Sequence, residues 1–260
     1  NCRYANQTAR TTMTTSLAQT PTYHAIVAEL QRYYATNACA NDALASWMTA
    51  TFSPSCVLAL VDELLANPTF LAEVAARSYH HGNGFLKVVI AAQNGWKLRL
   101  HVWFPNTPCE ENIHDHRWSF ASTVLCGQLL SETFVDEATG DIHGDEYCYF
   151  ARQQQAMSHK VAQGQFHLRS LGQQCRSAGE SYCLPKSVLH RICDYSNKDL
   201  VATMMCSAPT QLGTNRLLVS HDRHGIDPNV EQTPLSNHEL ACLLGRFSCA
   251  YAETLWQRAA

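Results

Sequence analysis

From Gly82 to Ser207 the chain breaks into short β-rich runs separated by glycines, and that spacing constrains the fold more than any other feature. Gly84 to Ala91 and Trp96 to Phe104 are joined through Asn94-Gly95, a dipeptide suited to the two positive-φ positions of a tight hairpin. Further expected strands are Ser119 to Leu125, Leu129 to Val135, Tyr147 to Ala151, Phe166 to Ser170, Ser181 to Leu184, Val188 to Asp194 and Leu200 to Ser207. Arg216 to Ser220 would add an edge strand. Gly127, Gly140, Gly144, Gly164 and Gly179 fall in turns. Many short strands with turn residues at regular intervals form the pattern of an antiparallel barrel or sandwich.

Helical patterning flanks this region. Tyr23 to Tyr34 places Ile26, Val27, Leu30 and Tyr34 on one face. Ser53-Pro54 caps a second helix carrying Val57, Leu60, Val61, Leu64 and Leu65, and Asn67-Pro68 starts a third that runs to about Arg77. His80 and His81 then read as turn residues before Gly82. His221 to Thr233 is polar and loop-like. Ser236-Asn237-His238-Glu239 is a capping box that opens a helix through Leu255. The expected organisation is a leader or appended segment at 1–12, before Met13, and an N-terminal helical region at 13–81 packed on the barrel. The barrel follows at 82–220, then a loop and C-terminal helix at 221–260.

A net charge of -3 over 260 residues gives no basic surface for nucleic acid. No apolar run approaches the length of a membrane span, and no secretory leader pattern is visible. The twelve cysteines are scattered singly with no Cys-x-x-Cys pair, against a zinc finger or a thioredoxin-like motif. Reduced thiols and a cytoplasmic location are expected, in preference to a disulfide-rich secreted fold.

Within the β region stands Ile113-His114-Asp115-His116-Arg117-Trp118. Side chains two residues apart on an extended chain point the same way, so His114 and His116 can reach one metal ion. His190, in a later strand-like run, can supply a third imidazole. Three histidines leave coordination positions open, which catalysis needs. Asp115 would point away or orient a neighbouring group through a hydrogen bond. A second histidine run, His221-Asp222-Arg223-His224, lies in loop context and reads as surface.

The segment Ile113-His114-Asp115-His116 with Gly127, followed by Gly179, Pro185 and His190, resembles the paired motifs of the cupin superfamily. That resemblance implies a mainly β, double-stranded β-helix (jelly-roll) barrel. The glutamate of the first motif is absent, with Ser119, Phe120 and Ala121 in its place, which implies a site of three histidines alone. Leu125-Cys126-Gly127-Gln128-Leu129-Leu130-Ser131-Glu132-Thr133-Phe134 and Leu189-His190-Arg191-Ile192 further resemble the cysteine dioxygenase group of thiol dioxygenases, over about Gly82 to Pro209. This implies Fe(II) bound by His114, His116 and His190, with Zn, Ni or Mn as the other metals that imidazoles hold. It also implies O2 and a small chelating substrate as the partners.

The departures bear on substrate. The Ser-His-Tyr set of thiol dioxygenases falls in Val201-Ala202-Thr203-Met204-Met205-Cys206-Ser207, which has neither the histidine nor the tyrosine. The cross-linking cysteine falls near Ala121, so no Cys-Tyr cross-link is expected. The carboxylate-binding arginine falls near Lys87, and the tyrosine two before it near Phe85.

On Trp96 to Phe104, Lys97, Arg99, His101 and Trp103 share one face and Leu98, Leu100, Val102 and Phe104 the other. Alternation alone does not say which face is the lumen. If the first is, Lys87 and Arg99 share a pocket and favour an anionic substrate. Arg117 would hold a substrate carboxylate or pair with Asp115. Trp118 reads more as a packing residue. Tyr182 and Cys183 are candidates to line the pocket, although Cys183 and Cys193 also read as buried apolar residues.

The residues expected to act in catalysis are Arg117 and His101. Those expected to contact substrate are Lys87, Arg99, Trp103, Phe85, Tyr182 and Met205. The leading expectation is a mononuclear non-haem iron oxygenase, for which a homodimer is a possible assembly. The alternatives are a redox-neutral metal-dependent lyase, isomerase or bond-rearranging enzyme, and a non-catalytic small-molecule-binding barrel.

Overall fold

The computed structural model describes residues 22–109, 111–150, 159–193, 198–221 and 232–259. The leader expected at 1–12 lies outside the described residues, as do residues 222–224 of the second histidine run. Four helices come first: α1 (Tyr23–Thr36), α2 (Asp42–Thr51), α3 (Pro54–Ala66) and α4 (Pro68–Ala75). Each start is fixed by a polar side chain that accepts an otherwise unpaired N–H. Thr22 accepts from Ala25, Asn41 from Leu44, Ser53 from Cys56 and Asn67 from Phe70. The expectations did not include α2. Its buried Leu44, Ala45, Trp47, Met48 and Thr51 share one face, with Asp42, Ala43, Ser46, Thr49 and Ala50 exposed on the other.

Twelve strands follow among the described residues: β1 (Tyr79–His80), β2 (Leu86–Gln93), β3 (Trp96–Trp103), β4 (Ile113–His114), β5 (Phe120–Cys126), β6 (Gln128–Asp136), β7 (Ile142–Phe150), β8 (His159–Ser177), β9 (Ser181–Leu184), β10 (Leu189–Ile192), β11 (Val201–Ser207) and β12 (Asn215–Ser220). Helix α5 (Asn237–Ala259) closes the chain, with Ser236 Oγ accepting from Glu239 N at 3.1 Å. The β2–β3 turn has positive φ at both Asn94 and Gly95, as the dipeptide demands.

The strands pair from the outside in. β3 pairs with β11, β4 with β10, β5 with β9 and β6 with β8, all antiparallel. Along the chain these strands alternate between two sheets. One runs β1-β2-β3-β11-β5-β9, and the other closes on itself in the order β10-β4-β12-β7-β8-β6. A long hairpin wound in this way is a double-stranded β-helix, the jelly-roll arrangement. The fold is therefore a mainly β, cupin-type barrel with helices before and after it.

Three local expectations are corrected. β8 has 19 residues, where patterning indicated only Phe166 to Ser170; most of it is exposed, so it lacks alternation. β12 is no edge strand but lies between β4 and β7. His80 belongs to β1 and pairs with Leu86 rather than lying in a turn.

The helices decide which face of the first sheet is core. Leu86, Val88 and Ile90 of β2, Leu98, Leu100 and Val102 of β3, and Met204 and Cys206 of β11 join one buried apolar cluster. Leu30, Met48, Leu60 and Val74 of the N-terminal helices and Leu240, Leu244, Phe247 and Tyr251 of α5 complete it. Burying this shared face drives the docking of helices on sheet. The opposite face of β2, β3 and β11 then has to line the lumen. Among the described residues no single helix is long and apolar enough to cross a membrane.

Candidate metal centre

His114 ends β4 and lies directly opposite His190 of β10. His116 follows two residues later, where its N–H donates to Lys186 O at 3.0 Å and holds the chain beside the run into β10. The three rings form a near-equilateral triangle. Their centroids are 4.8 Å apart for His114–His116, 4.6 Å for His114–His190 and 4.9 Å for His116–His190. One ligand atom from each lies within 4.8 Å of the others. Imidazole nitrogens bind divalent ions at about 2.0–2.1 Å, so a small inward adjustment brings all three to one ion.

Two further observations fit a metal. His114 Nδ1 lies 2.9 Å from Asn112 O, and His190 Nδ1 lies 3.0 Å from Val188 O. In both, Nδ1–H donates to the carbonyl two residues earlier, which leaves the Nε2 lone pair for the ion. Burial also keeps His116 and His190 neutral, as ligation requires. It pushes His190 down to about 3, aided by neighbouring His114, and holds His116 well below the usual histidine range. Asp115 does not orient the ligands. Its Oδ1 accepts from Arg216 N at 2.6 Å, which ties β4 to β12, and it does not take Arg117 as its partner.

The triad opens into a cavity of 480 Å³. Arg117, His101, Lys87, Arg99, Trp103, Phe85, Tyr182 and Met205 all line it with the three histidines. The register explains the grouping: Lys87 opposes His101, and Arg99 opposes Met205. Arg99 is 4% exposed and His101 8%. Arg99 Nη1 reaches Met205 Sδ at 3.2 Å, and its guanidinium sits 4.7 Å from the Trp118 ring. Lys87 Nζ lies 5.2 Å from the Tyr79 ring. Burial, with Arg99 and Arg117 nearby, pushes Lys87 down to about 7.

Several wall residues escaped the sequence reading. Trp118 is no mere packing residue, since it stacks on His116 at 4.2 Å and 12°. His81 lines the cavity, stacked on Phe85 at 4.5 Å. Arg176 lies over the Tyr182 ring at 4.1 Å. Glu111 also lines the cavity, only three residues before His114, and its nearness to the ligand pair was the available signal. Cys183, considered for the pocket, packs against the helical cluster instead, because Tyr182 takes the inward position on β9. His221 is exposed, 3.5 Å from Asp145, and stands apart from the triad.

No family model and no curated protein matches the chain. Solved structures do match. One, of DMSP lyases, has 11% identity over 52% of this chain and a TM-score of 0.28, and the chain spans about half of it (52%). An uncharacterised Klebsiella pneumoniae protein with a double-stranded β-helix domain has 11% identity over 54% of this chain and 88% of its own, with a TM-score of 0.30. An oxalate oxidase has 15% identity over 71% of this chain and 82% of its own, with a TM-score of 0.34. Likeness at this level says nothing about activity, and the fold assignment rests on the strand pairing.

Proposed function

We propose that the protein is a mononuclear non-haem iron oxygenase, similar to the thiol dioxygenases in its three-histidine centre but acting on a different small, chelating anion. The observation that carries this reading is the convergence of three imidazoles, with no carboxylate among them, on the wall of a cationic cavity. Ferrous iron bound there would supply open positions for a chelating substrate and for O2. The protein's own groups bind, orient and shield. Arg99 and Lys87 attract and hold negative charge, and Arg117, directly after the ligand pair, is placed to steer a carboxylate toward the triad. Phe85, Trp103 and Tyr182 exclude water. His101, neutral and buried, is the group available to hold or pass a proton inside the cavity.

A redox-neutral, metal-assisted lyase or isomerase is the second reading. It is favoured by β11, which presents Thr203, Met205 and Ser207 to the cavity and carries neither the histidine nor the tyrosine expected of a thiol dioxygenase. Metal analysis of protein purified without added metal, paired with O2 electrode traces in the presence of candidate acids and thiols, separates the two. Stoichiometric iron with substrate-dependent O2 uptake is expected. Zinc with no O2 uptake would favour the second reading and end the first.

A further inference from the structure

The cavity carries more positive charge than the described residues balance. Among the described residues, six cations line it (Arg77, Lys87, Lys97, Arg99, Arg117 and Arg176) against one carboxylate, Glu111. Glu111 is already committed: Oε1 accepts from Asn83 Nδ2 at 2.6 Å and Oε2 from Ile192 N at 2.5 Å. Arg77 donates to Val89 O and Ile90 O, and Arg176 to Ser131 Oγ. Among the described residues, Lys87, Lys97, Arg99 and Arg117 are in no ion pair. Two buried atoms on the cavity wall, Arg99 Nε and His101 Nε2, have no hydrogen-bond partner. An unpaired buried cation and an unmet donor are costly, so the site is built to receive compensating charge from a ligand.

The placement of these groups sets the kind of ligand. Lys87 and Arg99 are diagonal neighbours on the inner face of β2 and β3, close enough to share one oxyanion. Trp118 connects them to the triad, being stacked on His116 and in contact with the Arg99 guanidinium. An anion that only chelated the metal would balance the ion's charge and leave this second cluster unbalanced. We propose that the ligand is a small dianion, with one oxyanion end chelating the metal at His114, His116 and His190 and a second, carboxylate-type end received by Arg99 and Lys87. This rests on the metal-centre reading above and adds the second anionic group. Arg99 gives two parallel donors to a carboxylate, while Lys87 adds a point charge from the neighbouring strand.

Calorimetric titration of metal-loaded protein with malonate, succinate and glutarate, each beside the monocarboxylate of equal chain length, tests this. The best dicarboxylate is expected to bind at least tenfold more tightly than its monocarboxylate partner. Arg99→Gln and Lys87→Met should each cut that advantage severalfold with metal content unchanged. Lys87→Met carries the test alone if the deeper Arg99 substitution fails to fold by circular dichroism. Equal affinities in the wild type, or an advantage that survives in the folded variants, overturns the inference. Loss of O2 uptake with the dicarboxylate preference intact overturns the iron reading alone. Loss of the preference with O2 uptake intact overturns the dianion alone.

Discussion

At the scale of single residues, the metal centre depends on three rings whose second nitrogens are set by backbone carbonyls. His114 and His190 use the same device, Nδ1 to the carbonyl two residues earlier, so each Nε2 is aimed before any ion arrives. His190→Ala removes the one ligand that comes from the second half of the barrel. Its metal content is expected to fall to a small fraction of the wild-type stoichiometry, read by plasma emission analysis of purified protein. Full occupancy in that variant would remove His190 from the triad. The ligand pair was legible because His-x-His on extended chain points one way. Trp118 was misjudged because an indole next to a ligand reads as packing, and only its stack on His116 shows it as a wall of the site. His81 was passed over as a turn residue for a related reason, since a turn is placed over the cavity by what it packs on, here Phe85.

At the scale of elements, β4 contributes only two residues, and its hold on the barrel depends on neighbours. β10 flanks it on one side and β12 on the other. Asp115, 9% exposed, strengthens the β12 side by accepting from Arg216 N. Asp115→Ala leaves that N–H without its acceptor and should cost about 1–3 kcal/mol of stability. A melting temperature lower by roughly 2–4 °C for each kcal/mol is expected by scanning calorimetry, together with weaker metal binding. An unchanged melting point would mean that β4 is held by its other contacts. The turn after β5 has a similarly specific demand: Gly127 sits at φ +72, and a Cβ there would lie 2.5 Å from Leu200 O. That glycine was legible as the close of the first motif. The length of β8 was not, because its exposed residues carry no burial period, and the place of β12 inside a closed sheet is a matter of pairing that no local pattern encodes.

At the scale of the whole molecule, the cavity is lined by cations that the described acids do not balance, and this couples stability to pH. Lys87 ordinarily titrates near 10.5, but in the folded, ligand-free protein it is pushed down to about 7. It faces Tyr79, His81, Arg99, His101, Glu111 and Arg117 within the cavity. Below that folded value both folded and unfolded chains hold the proton. Between about 7 and 10.5 the unfolded chain keeps a proton that the folded chain has released, so stability rises with pH across this window. Lys97, pushed down to about 8 but exposed on β3, contributes in the same direction and less, because water screens it. Denaturant melts of metal-free protein from pH 7 to 9.5 should therefore show a shallower rise in Lys87→Met than in wild type. Parallel curves would place Lys87 in a solvated setting. The sequence by itself determined most of the short strands, the helices other than α2 and the His114–His116 pair, because each follows from local periodicity, turn chemistry or spacing; His190 joined that pair through the resemblance to the second cupin motif. The tertiary structure alone decided that the leucine face of β3 meets the helices and that Arg99 and His101 face the lumen. Both faces of that strand are buried, so the choice depends on which surface the distant helices cover, and a two-residue alternation carries no information about that.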